Sequence, residues 1–244
     1  MFKPVLVIPI FRHAKQLEKF IPKLPKNLAM IFVDDGNAPD EQKAIERLSK
    51  KCKAYLVRLP QNSGKTAAVL AGFSFALSKG FTHALQIDAD GQHNAKDIPV
   101  FLEVAKKNPK SLINGYPAYD ASVPKSRLYG RKVTNFWVAI EVYPQTIKDA
   151  MCGFRVYPLC EMQPILQRGL AAKRMGGDIE IVVRASWLGI PIINQQTNVI
   201  YPDDGFSNFR VFKDNVKLSL LHTLLVCTRI KNLLLSPFSK RRRF

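Results

Sequence analysis

With 244 residues, the chain is long enough for one domain with a sizeable core, and 47% hydrophobic with 23% charged residues is ordinary for a soluble globular protein. The charge is not ordinary: 37 Lys and Arg against 19 Asp and Glu give +18, which favours an anionic partner such as nucleic acid, lipid headgroups or phosphorylated substrates. Four cysteines without a CxxC pair or Cys/His spacing exclude a zinc module and read as buried, reduced thiols.

Run length and Gly/Pro punctuation predict alternating elements in the first half. Val5–Ile10 reads as a buried strand, Ala14–Leu24 as a helix disturbed by Pro22, and Ala29–Val33 as a strand. Asp40–Lys50 is a predicted helix opened by Pro39, Ala54–Leu59 a strand, and Thr66–Ser78 a helix closed by Gly80. Thr82–Ile87 is a strand, Lys96–Lys107 a helix and Leu112–Gly115 a strand. Strict βα alternation implies an α/β domain, Rossmann-like, with a mostly parallel central sheet covered on both faces.

The second half is less regular. Arg127–Tyr143 reads as a helix, Gly153–Tyr157 as extended, Asp178–Leu188 as a helix stopped by Gly189, and Ile192–Tyr201 as a strand. A basic, leucine-rich helical tail follows. The expected organisation is a catalytic domain over 1–205 and a basic amphipathic extension over 206–244. That tail, from Gly205 on, holds nine basic residues against one acid, Asp214. No signal peptide is visible, and no apolar run approaches the roughly 20 residues needed to span a bilayer. The expectation is a cytoplasmic protein held peripherally at the inner face of a membrane by its tail. The competing expectation is that the tail's apolar side packs on the domain.

Two acidic clusters end predicted strands: Asp34-Asp35-Gly36 and Asp88-Ala89-Asp90-Gly91-Gln92-His93. Carboxylates at the end of a buried strand are costly to desolvate without compensation, and a hard divalent cation, Mg²⁺ or Mn²⁺, is the usual one. Each cluster alone reads equally as a turn or a solvated loop. Gly64-Lys65-Thr66 opens a helix as a P-loop does, but the glycine needed five positions earlier is Leu59, so a Walker A site is excluded. No glycine fingerprint follows the first strand, which excludes a dinucleotide-binding site.

Six segments occur in an order that is far more specific than any one of them: V-I-P-I-F-R, V-D-D-G-N, N-S-G-K-T-A-A-V-L-A-G, Q-I-D-A-D-G-Q-H, D-A-M-C-G-F-R-V-Y and G-D-I-E-I-V-V-R-A-S-W-L-G. Together, over about residues 3–205, they resemble family 2 inverting glycosyltransferases, and within them the branch that includes dolichyl-phosphate mannose synthase. The resemblance implies a glycosyltransferase-A fold that holds a UDP-, GDP- or dTDP-sugar and a metal. It implies Asp90 as principal metal ligand, Asp88 on ribose or metal, and Gln92 completing the shell. Pro9 and Asp35 would meet the base or ribose, with Asn62, Gly64 and Lys65 near the nucleotide. Asn37 stands where the family often has Ser, a departure of little expected consequence. Asp178 and Glu180 align with the acidic acceptor-side motif, with Asp178 the first choice for a general base and helix capping its plainer alternative. Arg127, Arg131 and Arg155 would face an acceptor phosphate, which guanidinium groups bind bidentately; Arg155 could instead brace Asp149. These arginines and the tail point to a lipid-linked acceptor, with a soluble or protein hydroxyl as the alternative. The rival from another class is a nucleic-acid-binding protein, resting on charge alone, with no recognised nucleic-acid module to support it.

Overall fold

In a computed structural model that describes residues 1–118, 125–172, 176–199 and 211–235, seven strands form one sheet in the order β3-β2-β1-β4-β6-β5-β7. The first half runs β1 (Pro4–Ile10), α1 (Ala14–Phe20), β2 (Met30–Asp34), α2 (Pro39–Cys52), β3 (Tyr55–Arg58), α3 (Lys65–Ser78), β4 (His83–Gln86), α4 (Ile98–Lys107) and β5 (Leu112–Ala118). Then come α5 (Lys125–Val142), β6 (Arg155–Pro158), α6 (Gln163–Arg168), α7 (Gly176–Trp187), β7 (Ile192–Asn198) and α8 (Val211–Leu235).

The predicted elements recur with shifted ends. The helix expected over 14–24 gives way after Phe20 to a 3₁₀ turn, Ile21–Lys23, because Pro22 has no N–H to continue the α ladder. A second 3₁₀ turn, Ala95–Asp97, precedes α4. The short helix α6 was not anticipated. β7 ends at Asn198, and the stretch from 200 to 210 that the sequence reading touched lies outside the described residues.

The sheet is parallel from β3 through β2 and β1 to β4, and again between β5 and β7. β6 alone is reversed, antiparallel to both β4 and β5. Alternate residues of β1 feed two cores. Val5 and Val7 join Phe73 of α3 and Ile179 and Val183 of α7. Leu6, Ile8 and Ile10 join Leu17 of α1, Ile45 of α2 and Phe101 of α4. Burial on both faces explains why these strands read as continuous apolar runs rather than alternating ones. The strand order reverses between β2-β1 and β1-β4, and the crevice outside the carboxyl ends at such a point is where open α/β sheets bind ligands.

α8 buries one side, Leu218, Leu221, His222 and Leu225, and leaves Leu220, Leu224 and Leu234 exposed. His222 Nδ1 lies 2.7 Å from Oε1 of the fully buried Glu141 on α5. All four cysteines are unpaired, but Cys160 and Cys227 are exposed, not buried as expected. No helix among the described residues is long and apolar enough to cross a membrane.

Candidate active site

The loops after β1, β2, β3 and β4 and the start of α7 converge at the carboxyl edge of the sheet. Asp34 and Asp35 divide their labour there. Asp34 is fully buried and accepts from Asn37 N (3.0 Å), Asn37 Nδ2 (2.7 Å) and Arg58 Nε (3.0 Å). Asp35 accepts from Ser63 N (2.8 Å), Gly64 N (3.0 Å) and Asn62 Nδ2 (3.0 Å), so its carboxylate shapes the loop that opens α3. Asn37 carries more than the sequence suggested: besides Asp34 it binds Arg12 N (2.7 Å) and Ile10 O (2.8 Å), tying β1 to β2. A serine hydroxyl, with one proton to donate, could not make all three of its bonds. Pro9 is buried in β1, paired with Val33 of β2.

Lys65, the first residue of α3, reaches across the edge. Its Nζ lies 2.7 Å from Asp88 Oδ1, 2.8 Å from Asp88 Oδ2 and 3.0 Å from Asp178 Oδ2. One ammonium thus joins the acidic loop after β4 to the first turn of α7. Asp178 is fixed from the other side by Gln86 Nε2 (3.1 Å), and Gln86 Oε1 accepts from Tyr157 Oη (3.1 Å). Gly153 makes room for this cluster: a Cβ there would lie 2.6 Å from Lys65 Nζ and 3.1 Å from Asp88 Oδ2.

The two carboxylates of the β4 loop differ electrostatically. Burial would raise the Asp88 carboxyl, but Lys65 and then His93 reverse that and hold it below the usual carboxylate range. Asp90 is pushed up, first by burial and then by the charge of Asp88, with Gln92 N donating to its Oδ1 at 3.0 Å. Burial would likewise lower Lys65, and Asp178 and Asp88 together raise it well above its ordinary value. The His93 ring stacks on Phe154, with its Nδ1 buried and unpartnered.

Asp88, Asp90 and the Gln92 amide offer hard oxygen donors, and the mutual repulsion that raises Asp90 is the kind of charge a divalent cation offsets. Among the described residues, no three His, Cys, Asp or Glu side chains gather as a self-sufficient metal cluster. Mg²⁺ commonly uses only one or two carboxylates, with substrate phosphates and water filling its octahedron. The residues present fit such an ion.

Two expected site residues are engaged in buried contacts of their own. Glu180 is fully buried one turn inside α7, where its oxygens accept from Ala171 N (3.1 Å), Ala172 N (2.7 Å) and Arg184 Nε (2.7 Å). It closes the loop before α7 and does not face Asp88. Arg155 is also fully buried, donating to Asn114 Oδ1 (2.7 Å), Ala150 O (2.7 Å) and Asp178 O (2.6 Å). It braces the loop after Asp149 and the backbone of Asp178, close to the bracing role that was its alternative. Arg131 pairs with Asp149, which also caps Met151 N and Cys152 N. The side chain of Arg127 lies outside the described residues.

Gln86, Tyr157 and Asn114 were missed. The signal was present for Gln86, a polar residue between Leu85 and Ile87 in a buried strand, since buried polar groups are there to be hydrogen-bonded.

The profile of glycosyl transferase family 2 ("Glycosyl transferase family 2") matches residues 5–158. The undecaprenyl-phosphate mannosyltransferase of Micrococcus luteus is 22% identical over 204 residues, covering 77% of this chain and 79% of the relative. The polyprenol monophosphomannose synthase of Mycolicibacterium smegmatis is 22% identical over 200 residues, covering 78% and 75%. Among solved structures, glucosyl-3-phosphoglycerate synthase of Mycobacterium tuberculosis, in complex with Mn²⁺ and uridine-diphosphate-glucose, superposes with a TM-score of 0.64 at 13% identity, over 93% of this chain and 79% of that one. The chain belongs to glycosyl transferase family 2 and is a glycosyltransferase of the dolichyl-phosphate mannose synthase branch.

Proposed function

We propose that this enzyme transfers a single sugar, with inversion, from a nucleotide-sugar to the phosphate of a polyprenyl lipid at the cytoplasmic face of a membrane. The observation that carries the reading is the Lys65 bridge from Asp88 to Asp178, which puts the donor-side acidic loop and the acceptor-side helix within one ammonium of each other. Two relatives, an undecaprenyl-phosphate mannosyltransferase and a polyprenol monophosphomannose synthase, support a lipid-linked acceptor. Family membership removes the need for the nucleic-acid reading.

In this reading Asp88, Asp90 and Gln92 hold Mg²⁺ or Mn²⁺, which would supply Lewis-acid stabilisation of the departing diphosphate. Pro9, Asp35, Asn62 and Gly64 shape the nucleoside side of the cleft. Lys65 adds a positive charge where leaving-group charge grows. A lipid phosphate brings an oxygen that is already anionic, so no strong base is required. Asp178 then orients groups at the reacting centre through Lys65 and Gln86, and acts as a base only toward a hydroxyl acceptor. Arg127 and Arg131 are the remaining candidates for the acceptor phosphate.

The test is thermal stabilisation of the purified chain by UDP, GDP and dTDP with Mn²⁺ or Mg²⁺, followed by transfer assays on polyprenyl phosphate in detergent. A metal-dependent shift with one nucleotide, lost in Asp90→Ala, is expected. Transfer to a soluble hydroxyl in preference to the lipid phosphate would overturn the acceptor assignment.

A further inference from the structure

Lys148, in the loop between α5 and β6, is a cation that the site described above does not use. Its backbone is held from two sides: its N–H donates to Asn194 Oδ1 at 2.9 Å, and its carbonyl accepts from Asn135 Nδ2 at 2.8 Å. Its ammonium lies 4.4 Å from the centre of the Tyr116 ring and 3.3 Å from Tyr116 Oη. A free lysine stem samples many rotamers, whereas this one is anchored at both ends, at its backbone and at its cation–π contact.

The charge of Lys148 is not answered by an acid. Among the described residues no carboxylate forms an ion pair with it. Asp149, next in the chain, is turned to other partners: its Oδ1 accepts from Met151 N (2.8 Å) and Cys152 N (2.9 Å), and its Oδ2 from Arg131. Arg131 and Lys148 are therefore two cations around one carboxylate, and one positive charge is left over. Lys65, by contrast, is answered by both Asp88 and Asp178. Lys148 is exposed and Tyr116 half-buried, so the excess charge is open to solvent.

The position of the pair ties it to the acceptor side of the cleft. Tyr116 and Asn114 are alternate residues of β5 and share one face of the sheet, with Tyr116 nearer the carboxyl end. Asn114 Nδ2 donates to Asp149 O at 3.0 Å, and Asn114 Oδ1 accepts from Arg155 Nε at 2.7 Å. Arg155 in turn donates to Asp178 O at 2.6 Å. Two buried side chains thus join the Lys148–Asp149 turn to the first turn of α7.

We propose that Lys148 and Tyr116 form a binding site for the phosphate of the acceptor, beside Arg131. The ammonium has three N–H donors, of which Tyr116 Oη takes one, and the phenol keeps its own O–H to donate. Ammonium and phenol donors side by side, with a net positive charge, suit an oxygen-rich anion through charge-assisted hydrogen bonds. The site deepens the lipid-phosphate reading of the acceptor and rests on it, although its binding is measurable without any transfer.

The test is calorimetric titration of the full chain with geranyl phosphate and with geraniol, its uncharged counterpart. Metal-free buffer keeps the phosphate from binding through an ion at Asp88 and Asp90. Geranyl phosphate should bind more tightly than geraniol. Lys148→Ala should weaken the phosphate about tenfold and leave geraniol unchanged, the loss expected for one charge-assisted contact. Lys148→Arg should restore most of the affinity, and Tyr116→Phe, which keeps the ring but loses the hydroxyl, should cost less than Lys148→Ala. Equal affinity for geranyl phosphate in wild type and Lys148→Ala would overturn the proposal. So would a loss in Lys148→Ala of the thermal stabilisation by UDP or GDP with Mn²⁺ while geranyl phosphate still binds, which would move Lys148 to the donor side. Glycerol 3-phosphate bound as tightly as geranyl phosphate, with the same dependence on Lys148, would support the phosphate site and assign it to a soluble ester. A wild type that takes geranyl phosphate no better than geraniol would overturn the lipid-phosphate reading itself, and the site with it.

Discussion

The β4 loop and the β6–α7 junction both bury charge, and they treat it in opposite ways. At the junction, Arg155 and Glu180 are fully enclosed and their hydrogen-bonding capacity is spent on backbone carbonyls, backbone amides and neighbouring side chains. At the β4 loop, Asp90 is pushed up by burial and then by the charge of Asp88, and the cation that compensates Asp88 is a flexible lysine. Satisfied buried charge holds structure together. Incompletely compensated charge at the mouth of a crevice is held ready for a ligand.

The sharpest way to break this contrast is Arg155→Ala. It would leave the Ala150 and Asp178 carbonyls and the Asn114 amide oxygen without their donor. Breaking such a buried charged network costs about 3–5 kcal/mol. We expect a fall in Tm of about 10 °C or more, read by calorimetry. Next comes Asp90→Asn, which removes a charge repelled by Asp88. The variant should melt no lower than wild type in metal-free buffer, yet lose about 10²–10³-fold in transfer rate. A large fall in Tm would place Asp90 with the structural charges instead.

A smaller effect is expected at Gly153→Ala. The added Cβ would meet the end of Lys65, 2.6 Å away, a flexible group that can move. Stability should change little, while donor KM rises several-fold as Lys65 is displaced from Asp88; an unchanged KM would detach Lys65 from donor binding. The smallest effect sharpens the comparison from a third site, Glu141. Burial raises its carboxyl above 4.5, with His222 opposing. The folded chain therefore holds that proton to higher pH than the unfolded chain does. Its stabilising contribution is complete below pH 4.5 and is lost as pH rises through the raised value. Compared with Glu141→Gln, the wild type should lose a few degrees of Tm across that rise. Parallel Tm profiles for the two proteins would remove Glu141 from the balance that docks α8.

The acidic edge in this contrast was legible in the chain before any coordinates. Apolar runs ending in Asp34-Asp35 and Asp88-Ala89-Asp90 mark strands whose carboxyl ends gather at one edge, because parallel βα units leave them no other arrangement. Lys65 was named, but its reach to both Asp88 and Asp178 was not, since 113 positions separate Lys65 from Asp178 and nothing local couples them. The buried partners of Arg155 and Glu180 were illegible for the same reason. A charged residue in a motif looks alike whether it faces a cleft or a core.

The sequence alone determined the layered α/β class, the family and the acidic edge, because periodicity, punctuation and motif order are local properties that survive without coordinates. Tertiary structure decided which charges are spent and which are available. It enclosed Arg155 within the sheet, seated Glu180 beneath the loop before α7, and laid α8 on α5 so that one apolar face closed while another stayed open. Those outcomes depend on what lies across the sheet or beneath the helix, and burial against distant neighbours is not written in any single stretch of chain.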